Sequence, residues 1–342
     1  MEIIAHVTVE VKGTTEKVLS ENGFDRRYAN KWEAKKKKAK EVAQKLRQID
    51  EHARATRMEA CSEVVAGRVC SKCGQMHVQY ANLCRDRFCP VCKWRLSMRR
   101  FSSMYTIVEG LRNAYPESAW QFVTLTAKNC RPEELGRLMD EMSRVWNNIT
   151  TSKKFKGFVA GWARSTEITY NPKTGELHPH YHILVMYHEC CEPSDYIITR
   201  WCKGMTWTTS SKAQNAETIE WTAEDKTDIG WKVDQDPKDE KAIEAILETF
   251  KYSTKDNDIG DMPVNTFWYL TRAIANRRLV SFGGIIKEYA AACQMERLDD
   301  VTGEDEEDIE SKVDKCIKCK STELIEVLGK WTGDSYIWRR KE

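Results

Sequence analysis

No apolar run in this chain of 342 residues approaches the ~20 that a membrane-spanning helix needs. The opening MEIIAHVTVEVKG lacks the basic start and long apolar stretch of a secretory signal, which sets the expectation of a cytoplasmic protein. Net charge is nearly absent too. At +2 overall, bulk electrostatics gives no argument for a polyanionic partner. No internal repeat is evident, and histidine is scarce, with seven in the chain. Cysteine, by contrast, is plentiful. Thirteen of them, in a chain of cytoplasmic character, point to metal and thiol chemistry rather than disulfides.

The small net charge conceals an uneven distribution. The stretch RRYANKWEAKKKKAKEVAQKLR from Arg26 to Arg47 is strongly basic, and KWRLSMRR at 93–100 adds a second basic run. Acidic residues gather at 217–244 and again at 304–310. Any one such run can be a solvated helix face or loop. Two basic blocks within the first hundred residues favour an N-terminal region that faces nucleic acid. The acidic 217–244 segment reads as a plain insert, with a DNA-mimicking role as its alternative.

Periodicity divides the chain. A basic helical region (1–60), helical over 30–60 where Gly and Pro are missing, leads into a cysteine-rich module at 61–100. A helix then runs to Pro116, WQFVTLTA at 120–127 has a strand pattern, and a helix opens at Pro132. GFVAGWARSTEITY is a long strand, NPKTGE a turn, and HPHYHILVMY its return strand. Helices are expected at 193–204, from about Asp239 to Lys255, over NTFWYLTRAIANRR and after the GG at 283–284, with an irregular connection at 208–238. An acidic linker and a small Cys/Trp tail occupy 299–342. The class is α+β, with a central domain over 101–298.

In VCSKCGQMHVQYANLCRDRFCPVCKW, the pairs Cys70/Cys73 and Cys89/Cys92 stand fifteen residues apart. Tetrahedral Zn²⁺ needs four thiolates from short loops, and two Cys-x-x-Cys knuckles supply them. Cys84 and Cys61 are in range as well, so Cys61, Cys84, Cys89 and Cys92 are the competing set. Cys316 and Cys319 form a third knuckle, either half of another site or simply two thiols.

HPHYHILV places His178, His180 and His182 on one strand face, with Leu184 continuing that face into the core. The NPKTG turn brings Glu167 roughly opposite His180, within cross-strand reach. Two imidazoles and a carboxylate on a sheet face suit a divalent ion that binds phosphate oxygens. A second constellation lies in LETFKYSTKDND, where Glu248, Tyr252 and Lys255 share a helix face. There the tyrosine could serve as a nucleophile.

Together these blocks resemble the HUH endonucleases, and more narrowly the Rep_1 group of rolling-circle plasmid replication initiators. NLCRDRFCPVCKWRLSMRR, WQFVTLTAKNC, HPHYHILV and FKYSTKDND carry the resemblance in the family's order, over roughly 25–290. It implies an antiparallel, RRM-like HUH sheet with flanking helices. It also implies Mg²⁺ or Mn²⁺ at His180, His182 and Glu167, with Tyr252 as nucleophile. Glu248 would be the base for a terminating water, Lys255 would position phosphate or ion, and His178 would support the ligands. The expected partner is origin DNA, with host helicase and polymerase following the nick in a bacterial cytoplasm. Arg85, Arg87, Lys93 and Arg95 are the candidate DNA contacts of the zinc module. The cysteine segment is also similar to that of IS91-type transposases. Asp256 stands where their second tyrosine would fall, which favours the initiator reading over a transposase or mobilisation relaxase. A non-catalytic zinc-module regulator is the alternative of another class.

Overall fold

A computed structural model of the chain describes residues 26–188, 192–206, 211–219, 246, 256–292, 314–316 and 319–340. The chain divides into two compact units, Thr8–Leu96 with Val301–Glu342 and Met1–Val7 with Ser97–Asp300.

The terminal unit starts with α1 (Arg26–Gln48), whose buried Trp32, Lys36, Ala39, Ala43 and Leu46 recur every three or four residues. The basic run is thus a helix with one buried seam and lysines on its other faces. Asp50, at φ 62°, ends that helical path before α2 (His52–Glu59), so 30–60 is two helices rather than one. Within the cysteine segment, β1 (Val64–Cys70) and β2 (Met76–Ala81) form an antiparallel hairpin. Gly67 is required there, because a Cβ would stand 2.5 Å from the His77 carbonyl oxygen. The boundary between the units falls inside α3 (Pro90–Ala114).

The central unit follows. Its elements are β3 (Ser118–Thr126), α4 (Leu135–Thr151), α5 (Lys153–Phe158), β4 (Val159–Asn171), β5 (Glu176–His188), α6 (Ser194–Gly204) and β6 (Asn215–Ile219), then α7 (Asp256–Asp261), α8 (Val264–Ile274), β7 (Val280–Gly283) and α9 (Gly284–Ala292). The helix expected from Pro132 is interrupted at Ser152, whose hydroxyl accepts from the Phe155 amide and caps α5. β6 corrects the irregular reading of 208–238: Asn215–Ile219 pairs with β3 along Thr124–Trp120. The tertiary edge of β3 overrides a polar local sequence there. The sheet order is β6-β3-β5-β4-β7 with every neighbour antiparallel, so the α+β class holds. On one face Trp120, Ala163, Leu184 and Met186 pack with Met104, Val108 and Leu111 of α3 and with Ile286 and Ala290 of α9. The opposite face receives α4 and α6, where Trp146 meets Trp162 edge-on and Trp201 packs on Tyr181.

The chain then returns to the terminal unit with β8 (Leu324–Trp331) and β9 (Tyr336–Arg340), giving the order β2-β1-β8-β9. The tail, expected as a separate appendage, is half of this sheet. Its anchor is Tyr336, whose hydroxyl donates to the Ser62 carbonyl at 2.5 Å.

Candidate active site

Strand pairing sets the geometry. β4 and β5 join through the Asn171–Glu176 turn, and each residue of one strand then has a fixed partner on the other: Glu167 opposite His180, Ser165 opposite His182. On the far side of β5, Thr124 lies opposite His182 and Thr126 opposite His180. Because side chains alternate, His178, His180, His182, Glu167 and Thr124 share the face whose inner part is the Trp120–Leu184 core. The apolar half of each strand holds the polar half in place.

A single carboxylate oxygen, Oε2 of Glu167, lies 3.1 Å from His180 Nε2 and 3.0 Å from His182 Nε2. All three side chains are buried. Burial pushes the Glu167 carboxyl up, but when His180 and His182 carry protons on Nε2 their hydrogen bonds and positive charge outweigh burial, holding the group well below the usual carboxylate range. His180 Nδ1 faces the His178 carbonyl oxygen at 3.4 Å, which can only accept. In the neutral imidazole that places the proton on Nδ1 and a lone pair on Nε2, aimed at the carboxylate. Lone pair and carboxylate repel unless a cation stands between them, so this donor set fits a divalent ion. His182 is steadied by Thr124 Oγ1, 3.3 Å from its Nδ1, and by the ring of Phe122 stacked on it at 5.6 Å.

His178 is set apart from the trio. Its Nδ1 lies 2.8 Å from Asn129 Oδ1, and the Asn129 amide donates to Glu176 Oε2 at 3.2 Å. Burial and the neighbouring His180 both lower its pKa. Thr124 and Asn129 are site residues that ligand-type reasoning passed over. Their signal is the polar TLTAKN stretch that ends β3 and follows it: register places Thr124 beside His182, and Asn129, just past the strand, meets His178. Glu248, Tyr252 and Lys255 lie outside the described residues.

Eight of the described cysteines fall into two groups of four, and Cys70, Cys73, Cys89 and Cys92 are not one of them. Cys61, Cys84, Cys89 and Cys92 converge, with Sγ atoms 3.6 Å apart for Cys61–Cys92, Cys84–Cys92 and Cys89–Cys61. Cys70 and Cys73 lie instead with Cys316 and Cys319. The reason is the β1–β2 hairpin: it claims Cys70 at a strand end, while Cys89 immediately precedes α3, Cys92 lies in its first turn and Cys61 follows α2. The first group is well supported. The amides of Cys84 and Arg85 donate to Cys61 and Cys92 sulfurs at 3.4 and 3.3 Å. Arg54 clamps Asp86 through both carboxylate oxygens at 2.7 and 3.1 Å, fixing the connecting loop. Beneath it the ammonium of fully buried Lys36 donates to the carbonyls of Glu59 (2.6 Å) and Cys61 (2.5 Å). Burial pulls its pKa down and Cys61 partly restores it.

The Rep_1 family model, described as "Replication protein", matches residues 75–325. The chain belongs to the Rep_1 family. Among curated relatives, this Rep_1 chain is 30% identical over 250 residues to a "Protein rep" of a Bacillus species, covering 69% of this chain and 79% of that one. It is 28% identical over 279 residues to a "Protein rep" of Bacillus amyloliquefaciens (75% and 80%) and 26% identical over 318 residues to one of Lentilactobacillus hilgardii (90% and 95%). No solved structure matches it. No helix among the described residues is long and apolar enough to cross a membrane.

The basic residues expected to contact DNA divide in this Rep_1 chain. Arg85 and Arg87 are half-exposed, whereas Lys93 and Arg95 are 5% and 3% exposed. The Arg95 guanidinium packs about the Trp32 and Trp94 rings, 6.0 and 5.9 Å from their centres. For Lys93 and Arg95 the surface reading is corrected. They sit on the first turns of α3, which packs against its unit, and their alkyl stems are interior groups.

Proposed function

We propose that this chain initiates rolling-circle replication of a plasmid in the bacterial cytoplasm by nicking one strand at the origin. The observation that carries the reading is the convergence of His180 and His182 on one oxygen of Glu167, at the polar end of an antiparallel sheet. That arrangement agrees with an HUH platform. His180, His182 and Glu167 would hold Mg²⁺ or Mn²⁺, whose charge polarises a scissile phosphate. Tyr252 supplies the nucleophile: its phenolate oxygen bonds to phosphorus, the bond to the 3′ oxygen breaks, and that oxygen takes up a proton. The products are a 5′-phosphotyrosine link and a free 3′-OH, from which a polymerase extends behind a host helicase. Glu248, four residues before Tyr252, is the base for the water that later releases the link, and Lys255 positions the phosphate. Zn²⁺ in the Cys61, Cys84, Cys89 and Cys92 cluster rigidifies the terminal unit, where Arg85 and Arg87 contact DNA.

The test uses a labelled single-stranded origin oligonucleotide with Mn²⁺. A covalent protein–DNA band is expected, lost in Tyr252→Phe and kept in Tyr269→Phe. An undiminished band in Tyr252→Phe overturns the assignment.

A further inference from the structure

The second cysteine group is built to a pattern that its sequence spacing alone does not reveal. Cys70–Cys73 and Cys316–Cys319 are both Cys-x-x-Cys knuckles in sequence, and the described residues around each close with the same backbone bonds. In the first, the Gly74 amide donates to the Cys70 carbonyl at 2.9 Å and the Cys70 amide to the Gln75 carbonyl at 2.9 Å. In the second, the Lys320 amide donates to the Cys316 carbonyl at 2.7 Å and the Cys316 amide to the Ser321 carbonyl at 2.7 Å. The residue after each second cysteine is left-handed, Gly74 at φ 70° and Lys320 at φ 59°. In these two bonds and the left-handed residue the described parts of the two knuckles repeat each other.

They also face each other. The Cys70 and Cys319 sulfurs are 3.4 Å apart, as are those of Cys73 and Cys316, and all four lie within 4.8 Å of one another. A disulfide needs about 2.05 Å. Zn–S bonds of about 2.3 Å in a tetrahedron put sulfurs about 3.8 Å apart, much closer to what the cluster shows. Below the cluster, β1 and β8 pair from Val64 opposite Lys330 to Cys70 opposite Leu324, so the knuckles stand at the same end of one ladder. The Ser71 amide and hydroxyl add bonds to Glu323.

We propose that Cys70, Cys73, Cys316 and Cys319 hold a second structural Zn²⁺, which clasps the chain's C-terminal knuckle to its N-terminal one. Four Zn–S bonds form as the thiols release their protons, and no oxidant is involved. The ion joins sulfurs 243 and 249 residues apart and closes a unit whose two halves flank Ser97–Asp300 in sequence. The site is independent of the nicking reading.

The decisive experiment counts zinc in the full-length protein by native mass spectrometry and maps alkylated thiols. Cys319→Ser should lose one zinc per chain, Cys84→Ser a different one, and the double variant both. In the unmodified protein, iodoacetamide should label half-exposed Cys202 while exposed Cys319 stays protected. A zinc chelator should then unmask Cys70, Cys73, Cys316 and Cys319 together. Full zinc retention in Cys319→Ser overturns the proposal. So does labelling of Cys319 at the rate of Cys202 in zinc-replete protein, or recovery of a Cys70–Cys319 or Cys73–Cys316 disulfide.

Discussion

The histidine site and the cysteine clasp both gather metal-type ligands, but over very different lengths of chain. Glu167 meets His180 and His182 across 13 and 15 residues, within one hairpin, whereas Cys73 meets Cys316 across 243. In the hairpin, one turn and a period of two determine which side chains face each other. The clasp requires two chain ends to find one another after everything between them has been made. Loop-closure entropy grows only slowly with length, about 0.6 kcal/mol per doubling, so the β1–β8 ladder and the thiol cluster can offset it. On the proposed function, metal binding at the hairpin rests on local register, and integrity of the terminal unit on long-range assembly. Substitutions in the two regions should fail in different ways.

The largest effect is expected at the hairpin. Glu167→Gln keeps the shape and can still hydrogen-bond both imidazoles, but it removes the charge that a divalent ion needs. Loss of several kcal/mol of phosphate stabilisation corresponds to a nicking rate lower by at least about 10²-fold. The thermal midpoint should hardly move, because the strands remain anchored by Trp120, Leu184 and Met186. Nicking of a single-stranded origin oligonucleotide and a circular-dichroism melt, run side by side, measure both. A variant that loses fold and activity together would erase the distinction between the regions.

The reverse pattern is expected at Lys36, beneath the other cysteine group. Lys36→Met fills the same volume but leaves the Glu59 and Cys61 carbonyls without their donor in a buried setting. Two such groups cost roughly 2–4 kcal/mol, read as a shift in the urea midpoint at constant slope. Nicking of single-stranded substrate by the folded fraction should stay near the unmodified rate. A Lys36→Met protein as stable as the original would show that the seam of α1 tolerates an uncompensated carbonyl pair.

What could be read from the sequence follows the same division. The facing of Glu167 and His180 was legible, since a turn and two alternating strands leave one register that buries Leu184 and Met186. The division of cysteines was legible only as an alternative, with Cys61, Cys84, Cys89 and Cys92 as the competing set and Cys316/Cys319 as half of another site. Spacing alone lets Cys70/Cys73 join Cys89/Cys92, and only the short hairpin β1–β2, with a strand supplied from the far end of the chain, separates them. Lys36 was hidden for another reason. A lysine within KKKK reads as solvated, and its burial shows only when the seam Trp32–Lys36–Ala39–Ala43 is set against the packing of α1. Lys93 and Arg95 misled in the same way, because charge pattern gives composition, while packing decides which charges remain outside.

The smallest effect is expected from an ion pair that belongs to neither region. Asp140 on α4 is bound by Arg277, which also donates to the carbonyls of Ala273 and Gly136 and so ties the end of α8 to the start of α4. The hydrogen bond from Arg277 holds the Asp140 carboxyl below its usual range, against a smaller opposing effect of burial. A carboxyl depressed in the folded state binds its proton more readily when unfolded. Its contribution is therefore complete above the unfolded value, about 3.9, and disappears as pH falls through the lower folded one. Asp140 is largely exposed, so solvent screening limits the pair to about 0.2–1 kcal/mol at pH 7. Asp140→Asn should be less stable than the unmodified protein by that amount at pH 7, with the gap narrowing below about pH 4 and shrinking in high salt. Urea titrations at three pH values would read it. A loss as large as that of Lys36→Met would mean that surface charge, rather than buried polar partners and register, sets the stability of the central unit.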